Sequence, residues 1–223
     1  MYFLIWVIDR VFKMAQDKGL SLYNNLDRTV SDNDAELRRI YRDWADNYDR
    51  DNDQELGTVS QPTMVHFFEK FCEIKSAKIL DVGCGTGLVG EFLSKAGYVN
   101  FDGTDISQDM LSHATGRGYQ NLFIANLSET LPIADDSYDA CLCVGVFTHG
   151  HVGPSGFDEL IRITKPRGLI GFTINEDVYT EYGYDVAIDK LITDGRWQLK
   201  LHQTADYMTK KAVKGIYVVA EVL

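Results

Sequence analysis

The sequence predicts an α/β fold: a doubly wound, mostly parallel seven-stranded sheet with an antiparallel hairpin at its C-terminal end. Three observations predict it. From residue 76 onward, short apolar runs of strand length alternate with segments of helical period. One of these runs, Ile79-Leu80-Asp81-Val82, passes directly into a glycine turn, Gly83-Cys84-Gly85-Thr86-Gly87, and then into a helical pattern. The last two runs have no helical segment between them, which makes them antiparallel neighbours. A chain of 223 residues suits one such domain with an extension. The reading divides it into an N-terminal helix and linker (1–33), a helical cap (34–75) and a core (76–223).

The extension opens with seven apolar residues, Tyr2 to Ile8. That is too short to span a bilayer, and it lacks the basic start and small-residue cleavage pattern of a signal peptide. Leu4, Ile5, Ile8, Val11 and Phe12 share one helical face, which predicts a docking helix; few basic residues support a membrane surface. Met14 is an alternative start, and the polar stretch 15–33 reads as a linker. Ser31 followed by Asp34 marks a helix start, after which Leu37, Ile40, Tyr41, Trp44 and Tyr48 fall at helical spacing. Ser60 with Pro62 begins the next helix, whose Met64, Val65, Phe67, Phe68 and Phe71 form a core-facing stripe.

The strands then follow in order. After Ile79–Val82, Phe101 to Ile106 is the second, and Ser107 caps a helix running to an exposed His113, with Met110 and Leu111 inward. Asn121 to Ala125 is the third strand and Tyr138 to Gly145 the fourth. Phe157, Leu160, Ile161 and Ile163 define a helix stopped by Lys165-Pro166-Arg167-Gly168, and Leu169 to Thr173 is the fifth strand. A helix closed by Leu191 precedes the hairpin strands Trp197–Leu201 and Gly215–Ala220.

The glycine turn is the candidate ligand site. Glycines 83, 85 and 87 permit positive φ and let a ligand touch backbone, while the following helix aims unpaired N–H groups at the same place. Gly85-Thr86-Gly87-Leu88-Val89-Gly90 also satisfies G-x-G-x-x-G, so a dinucleotide must be weighed. Asp81 argues against it, because a carboxylate beside a pyrophosphate is costly. A cofactor carrying an ammonium and a sulfonium but no phosphate reverses that sign, and S-adenosylmethionine is such a cofactor. Asp105, about 20 residues beyond the loop, is placed to accept ribose hydroxyls with either ligand.

Asp81-x-Gly-x-Gly-x-Gly with Thr104-Asp105-Ile106-Ser107 resembles motif I and the acidic motif of class I S-adenosylmethionine-dependent methyltransferases, whose sheet is Rossmann-like. The resemblance implies that Asp81, Gly83, Cys84, Gly85, Asp105 and Val144 hold the cofactor. Ile106 and Met110 either sandwich adenine or only pack. Asn126, with Leu127 beside it, stands where such enzymes often have Asp, and its carbonyl oxygen can accept the adenine amino bond. Tyr41-x-x-Trp44-Ala45-x-x-Tyr48-Asp49 resembles the segment closing over the cofactor in many small-molecule methyltransferases. By that resemblance Tyr41 or Tyr48 covers the methionine end, and Trp44 faces substrate. Gly145 to Pro154, with Leu131-Pro132 and the aromatic segment, resembles the Williams-Beuren syndrome region methyltransferase-like proteins over residues 36–175.

The loop after the fourth strand, with Phe147, His149 and His151, is expected on the substrate side. A metal pair is disfavoured, because two loop histidines lack further ligands. The histidines either stabilise the turn or bind substrate and take its proton, with His149 the preferred base. Glu176 and Tyr179, in a cluster of acids and tyrosines past the fifth strand, either line the pocket and favour a basic amine or form a solvated loop. A formal charge of −11 argues against nucleic acid. Four cysteines without C-x-x-C spacing suggest reduced thiols and a cytoplasmic setting. The expected function is methyl transfer to a nitrogen or oxygen of a small molecule. The alternatives are a non-catalytic S-adenosylmethionine-binding module and a nicotinamide-dependent oxidoreductase.

Overall fold

The computed structural model describes residues 18–26 and 33–223. The helix predicted from Leu4 to Phe12 and the helix start predicted at Ser31 lie outside the described residues. Within the stretch expected as linker, Lys18–Asn24 forms a helix, α1. Helix α2, Asp34–Trp44, and the short α3, Tyr48–Asp51, follow, joined by a 3₁₀ turn and continued by one wide turn over Asn52–Leu56. Leu26, Leu37, Ile40, Trp44 and Leu56 bury their side chains together, so this cap has a small apolar core of its own.

Among the described residues the sheet has seven strands in the order β3-β2-β1-β4-β5-β7-β6. They are β1 Ile79–Val82, β2 Phe101–Asp105, β3 Leu122–Ile124, β4 Tyr138–Phe147, β5 Thr164–Asn175, β6 Trp197–Met208 and β7 Val213–Val222. β1 pairs in parallel with β2 on one side and β4 on the other. β7 is antiparallel to both β5 and β6. The strand order therefore reverses between β1 and β4, and the crevice beyond their C-terminal ends is where open α/β sheets take ligands.

Alternation along the strands sorts their side chains onto two faces. Leu80, Val82, Cys141, Cys143, Ile170 and Phe172 pack against α7, Gly156–Ile163, and α9, Tyr184–Thr193. Ile79, Ala140, Leu142 and Val219 face α4, Ser60–Glu69, and α5, Leu88–Lys95. Helix α4 thus lies on the sheet, with Met64 and Phe68 wholly buried as the apolar stripe predicts.

Four strands run longer than predicted. β5 begins at Thr164, through the Pro166-Arg167-Gly168 stretch expected only to stop a helix, and Arg167 takes φ 69° there. The β6–β7 hairpin stays paired out to Met208↔Val213, because each strand satisfies the other beyond the parallel sheet. β4 extends to Phe147 but arches. From Cys143 to Phe147 it spends four residues where β5 spends two, Phe172 to Ile174. Val144, Gly145 and Val146 form the arch, with Gly145 at φ 84°.

The arch corrects one expectation. Phe147 is not on a substrate wall: it is 0% exposed, with ring centroids 4.9 Å from Phe157, 5.7 Å from Phe172 and 5.6 Å from Tyr184. Four steps from Cys143 return it to the same buried face. Phe147→Ala is expected to cost about 3–5 kcal/mol of stability while leaving cofactor affinity intact, as thermal denaturation and calorimetry would show.

Candidate functional site

The glycine turn is tied down from beneath. The amides of Gly83 and Cys84 both donate to the Thr104 carbonyl, at 2.8 and 2.9 Å, clamping the turn to β2. Gly83, Gly85 and Gly87 take φ values of 72°, 54° and 92°. Gly85 has open space where a side chain would begin, so its backbone is presented to the cleft. Gly90 serves a different purpose. A Cβ there would sit 2.4 Å from the Tyr119 ring, and a Cβ on Gly103 would also collide with it.

Those two glycines make room for Tyr119, which nothing in the sequence marked. Its hydroxyl accepts from the Gly90 amide at 3.0 Å and donates to Asp81 Oδ2 at 2.6 Å. Asp81 is 0% exposed, and its Oδ1 has no hydrogen-bond partner. Burial pushes its carboxyl up to about 7, against the Tyr119 bond, which favours the charged form; nearby Asp105 adds to the rise. Asp81 and Cys84 both lie beneath the loop and do not line the cleft, so Asp81 acts from behind the backbone.

Above the turn a cleft of about 690 Å³ opens. Gly83, Gly85, Asp105, Ile106, Met110, Asn126, Leu127 and Val144 line it, as do Tyr41 and Tyr48 from the cap. Asp105 accepts from the Gly85 amide and the Ser107 amide, each at 2.9 Å, one on each oxygen. Each oxygen keeps a second lone pair for a ligand hydroxyl. Burial raises this carboxyl above its ordinary value despite both bonds.

At the adenine end a second acceptor joins Asn126. Asn126 Nδ2 donates to Asp34 Oδ2 at 2.5 Å and Glu129 Oε1 at 3.2 Å, while Oδ1 accepts from the Ser128 amide and keeps a second lone pair. The carboxylate on the wall beside it is Asp34, from the first turn of α2. Sequence reasoning saw Asp34 only as a helix-start signal, because 92 residues separate it from Asn126.

A second cavity of about 880 Å³ adjoins the first, and Tyr41, Tyr48 and Gly145 line both. Trp44 and His149 lie on its wall with Ser60, Gln61, Asn175, Asp177 and Tyr207. Glu176 and Tyr179, on the short helix α8, Glu176–Tyr179, are not part of either cavity. Glu176 instead accepts from the Lys214 amide at 2.6 Å, and the Tyr179 hydroxyl meets His202 at 3.1 Å. The cluster of acids and tyrosines expected to select a basic amine therefore keeps only Asp177 on the wall.

His151 lines the first cleft, not the second. Its Nδ1 lies 2.7 Å from the His149 carbonyl, which can only accept, so Nδ1 carries the proton. Nε2, 2.7 Å from the Tyr41 hydroxyl, must then accept from it. Burial pulls this imidazole down to about 4, and it stays neutral at physiological pH. The cap is latched again at Asp49, which accepts from Thr86 Oγ1 at 2.5 Å and pairs with Arg117. Among the described residues, no group of three or more His, Cys, Asp or Glu could hold a metal ion, and no helix is long and apolar enough to cross a membrane.

A strand order reversing beside a positive-φ glycine turn, with a carboxylate at the end of the next strand, is the arrangement of a Rossmann-like nucleoside-binding site. The methyltransferase domain family matches residues 80–172. The chain is 32% identical over 204 residues to methyltransferase-like protein 27 of Homo sapiens, covering 83% of this chain and 79% of that protein. It is 27% identical over 139 residues to the ubiquinone biosynthesis O-methyltransferase of Hydrogenovibrio crunogenus, covering 59% and 57%. The crystal structure of a Thermotoga maritima SAM-dependent methyltransferase, described as a possible histamine N-methyltransferase, superposes with a TM-score of 0.60 at 18% identity, covering 83% of this chain and 99% of that one. The chain belongs to the S-adenosylmethionine-dependent methyltransferases of class I, as a relative of methyltransferase-like protein 27. The nicotinamide alternative is thereby set aside.

The two shifted groups leave opposite marks on stability. Asp81 titrates near 7 in the fold against an ordinary 3.8, so its contribution is complete below about pH 4 and is lost as pH rises through 7. His151, near 4 against an ordinary 6.5, contributes above 6.5 and loses that contribution as pH falls toward 4. Asp81→Asn separates them. Relative to the parent chain, it is expected to raise the melting temperature more at pH 8 than at pH 5; an equal offset at both would remove the buried-carboxylate assignment.

Proposed function

We propose that this methyltransferase acts on a nitrogen or oxygen of a small molecule. The observation that carries the reading is the pair of adjoining cavities that share Tyr41, Tyr48 and Gly145. One has the chemistry for a nucleoside and an amino acid, and the other has room for an acceptor across a common threshold. The same adjacency favours transfer over a module that only binds the cofactor. A formal charge of −11 argues against a polyanionic substrate. Four buried free cysteines support a reducing, cytoplasmic setting.

The residues fit S-adenosylmethionine. Gly85 offers a bare backbone, Asp105 offers lone pairs for the ribose hydroxyls, and Ile106 and Met110 flank the place for adenine. Asp34, on the wall beside Asn126, adds a carboxylate that can accept from the adenine amino group alongside Asn126 Oδ1. Tyr41, its hydroxyl turned to His151, and Tyr48 close the methionine end. The bound cofactor supplies a methyl already activated by its sulfonium. The chain's own task is to align the acceptor and exclude water, and such positioning contributes roughly 7–11 kcal/mol. Residues 34–75 act as the cap for this purpose over a core of 76–223. His149, on the acceptor wall, takes the proton that the acceptor loses.

Calorimetric titration with S-adenosylhomocysteine tests the cofactor assignments, with NADH as a control expected not to bind. Asp105→Ala is expected to weaken binding by more than about tenfold, since charge-assisted bonds are lost. Asp34→Ala is expected to cost about tenfold with S-adenosylhomocysteine and little with its inosine counterpart, which lacks the amino donor. Unchanged affinity in either variant removes that residue from the cofactor site.

A further inference from the structure

The second cavity carries a signature beyond its position. On its wall, at the first turn of α4, Ser60 and Gln61 are 1% and 8% exposed. Ser60 Oγ is buried without any hydrogen-bond partner, and Gln61 makes no side-chain hydrogen bond among the described residues. A buried hydroxyl left unpaired is costly in a folded protein and marks a place where a partner is missing. The turn that presents them is held firmly. The Val59 amide donates to the Tyr207 carbonyl at 3.0 Å, and Thr58 bridges to Met208 at the end of β6.

The rest of the chamber is uncharged inside, with the aromatic rings of Tyr23, Tyr41, Trp44, Tyr48 and Tyr207 set beside the amides and hydroxyls of Asn52, Thr148 and Asn175. Trp44 meets Tyr48 edge to face at 4.9 Å and Tyr23 at 5.5 Å. The charged residues on the wall, Asp177 and Lys211, are both exposed. Asp51, behind Trp44, is already matched by the indole N–H at 2.8 Å and by Arg50. An ammonium or carboxylate entering this space would lose its water and find no fixed counter-charge. A flat ring would gain aromatic faces and edges on its way in.

We infer that the second cavity takes an uncharged, planar hydroxyaromatic acceptor, held by the Ser60 hydroxyl and the Gln61 amide against the Trp44–Tyr48 wall. The inference rests on the methyl-transfer reading and narrows it to a substrate class. The acceptor's hydroxyl oxygen forms the new O–CH₃ bond as the S–CH₃ bond breaks with its electron pair left on sulfur. The hydroxyl proton passes to His149, and the products are a methyl ether and S-adenosylhomocysteine.

The test uses the full chain saturated with S-adenosylhomocysteine, titrated by ligand-observed NMR with three probes that share a benzene ring and differ in charge: p-cresol, benzylamine and benzoate. The p-cresol probe is expected to bind roughly tenfold or more tighter than either charged ring. Ser60→Ala and Gln61→Leu are each expected to weaken p-cresol by roughly five- to tenfold, the worth of one neutral hydrogen bond. Ser60→Ala is also expected to leave the melting temperature unchanged or raised, because it deletes an unpaired buried group. A purely structural serine would instead lower it and leave p-cresol affinity alone, and that result overturns the inference. So does benzylamine or benzoate binding as well as p-cresol, or p-cresol failing to bind the loaded chain. Failure of S-adenosylhomocysteine to bind in the first step would strike the underlying reading instead.

Discussion

Much of this site depends on the accommodation of one buried carboxylate. Asp81 sits under the glycine turn with one oxygen on Tyr119 and the other on nothing. Tyr119 reaches it only because Gly90 and Gly103 lack side chains. The third glycine of the G-x-G-x-x-G run therefore makes room for a tyrosine against the helix. The same hydroxyl that steadies Asp81 also accepts from the Gly90 amide in the first turn of α5, so strand, turn and helix are bound into one unit. A carboxylate buried behind the turn penalises negative charge brought to the cleft above it. A cofactor bearing two cationic groups suits that floor better than one bearing phosphates.

The cap and the core meet through a few polar contacts placed around the cleft. Asp34 with Asn126, Tyr41 with His151, and Asp49 with Thr86 and Arg117 all pass from residues 34–51 to the sheet's loops. The cap's own apolar cluster holds it together but does not merge with the two clusters on the sheet faces. Tyr41 and Tyr48 belong to this N-terminal segment and to the walls of the cleft at once. The arch at Val144-Gly145-Val146 completes the threshold from the other side. Gly145 donates its amide to Thr173 Oγ1 at 3.0 Å, and its φ of 84° bends β4 without placing a side chain between the cavities.

The strand–turn–helix unit at Ile79 to Leu88, the helix cap at Ser107 and the core stripe of α4 follow from local pattern, and all are present except Phe71, which lies past the helix end and is exposed. Ser107 Oγ accepts from the Met110 amide, as its position requires. The site divides differently. Residues on the turn and the strand ends, such as Gly85, Asp105, Ile106 and Asn126, are where motif spacing puts them. Phe147, Glu176 and Tyr179 are not on the walls, because an arch, a backbone amide and a neighbouring histidine claim them.

What the amino-acid order alone determined was the alternation of strand and helix, the glycine turn and the acid on the next strand. These depend on periods of 2 and 3.6 residues and on backbone freedom at glycine, which are local properties. What only the tertiary structure decided was which side chains face which cavity. Asp34 meets Asn126 across 92 residues, Tyr119 finds Asp81 across 38, and Ser60 is left without a partner although it begins an ordinary helix. Such pairings depend on how the cap folds over the sheet and on where a strand arches. No local period encodes a contact between elements that meet only after the chain has folded.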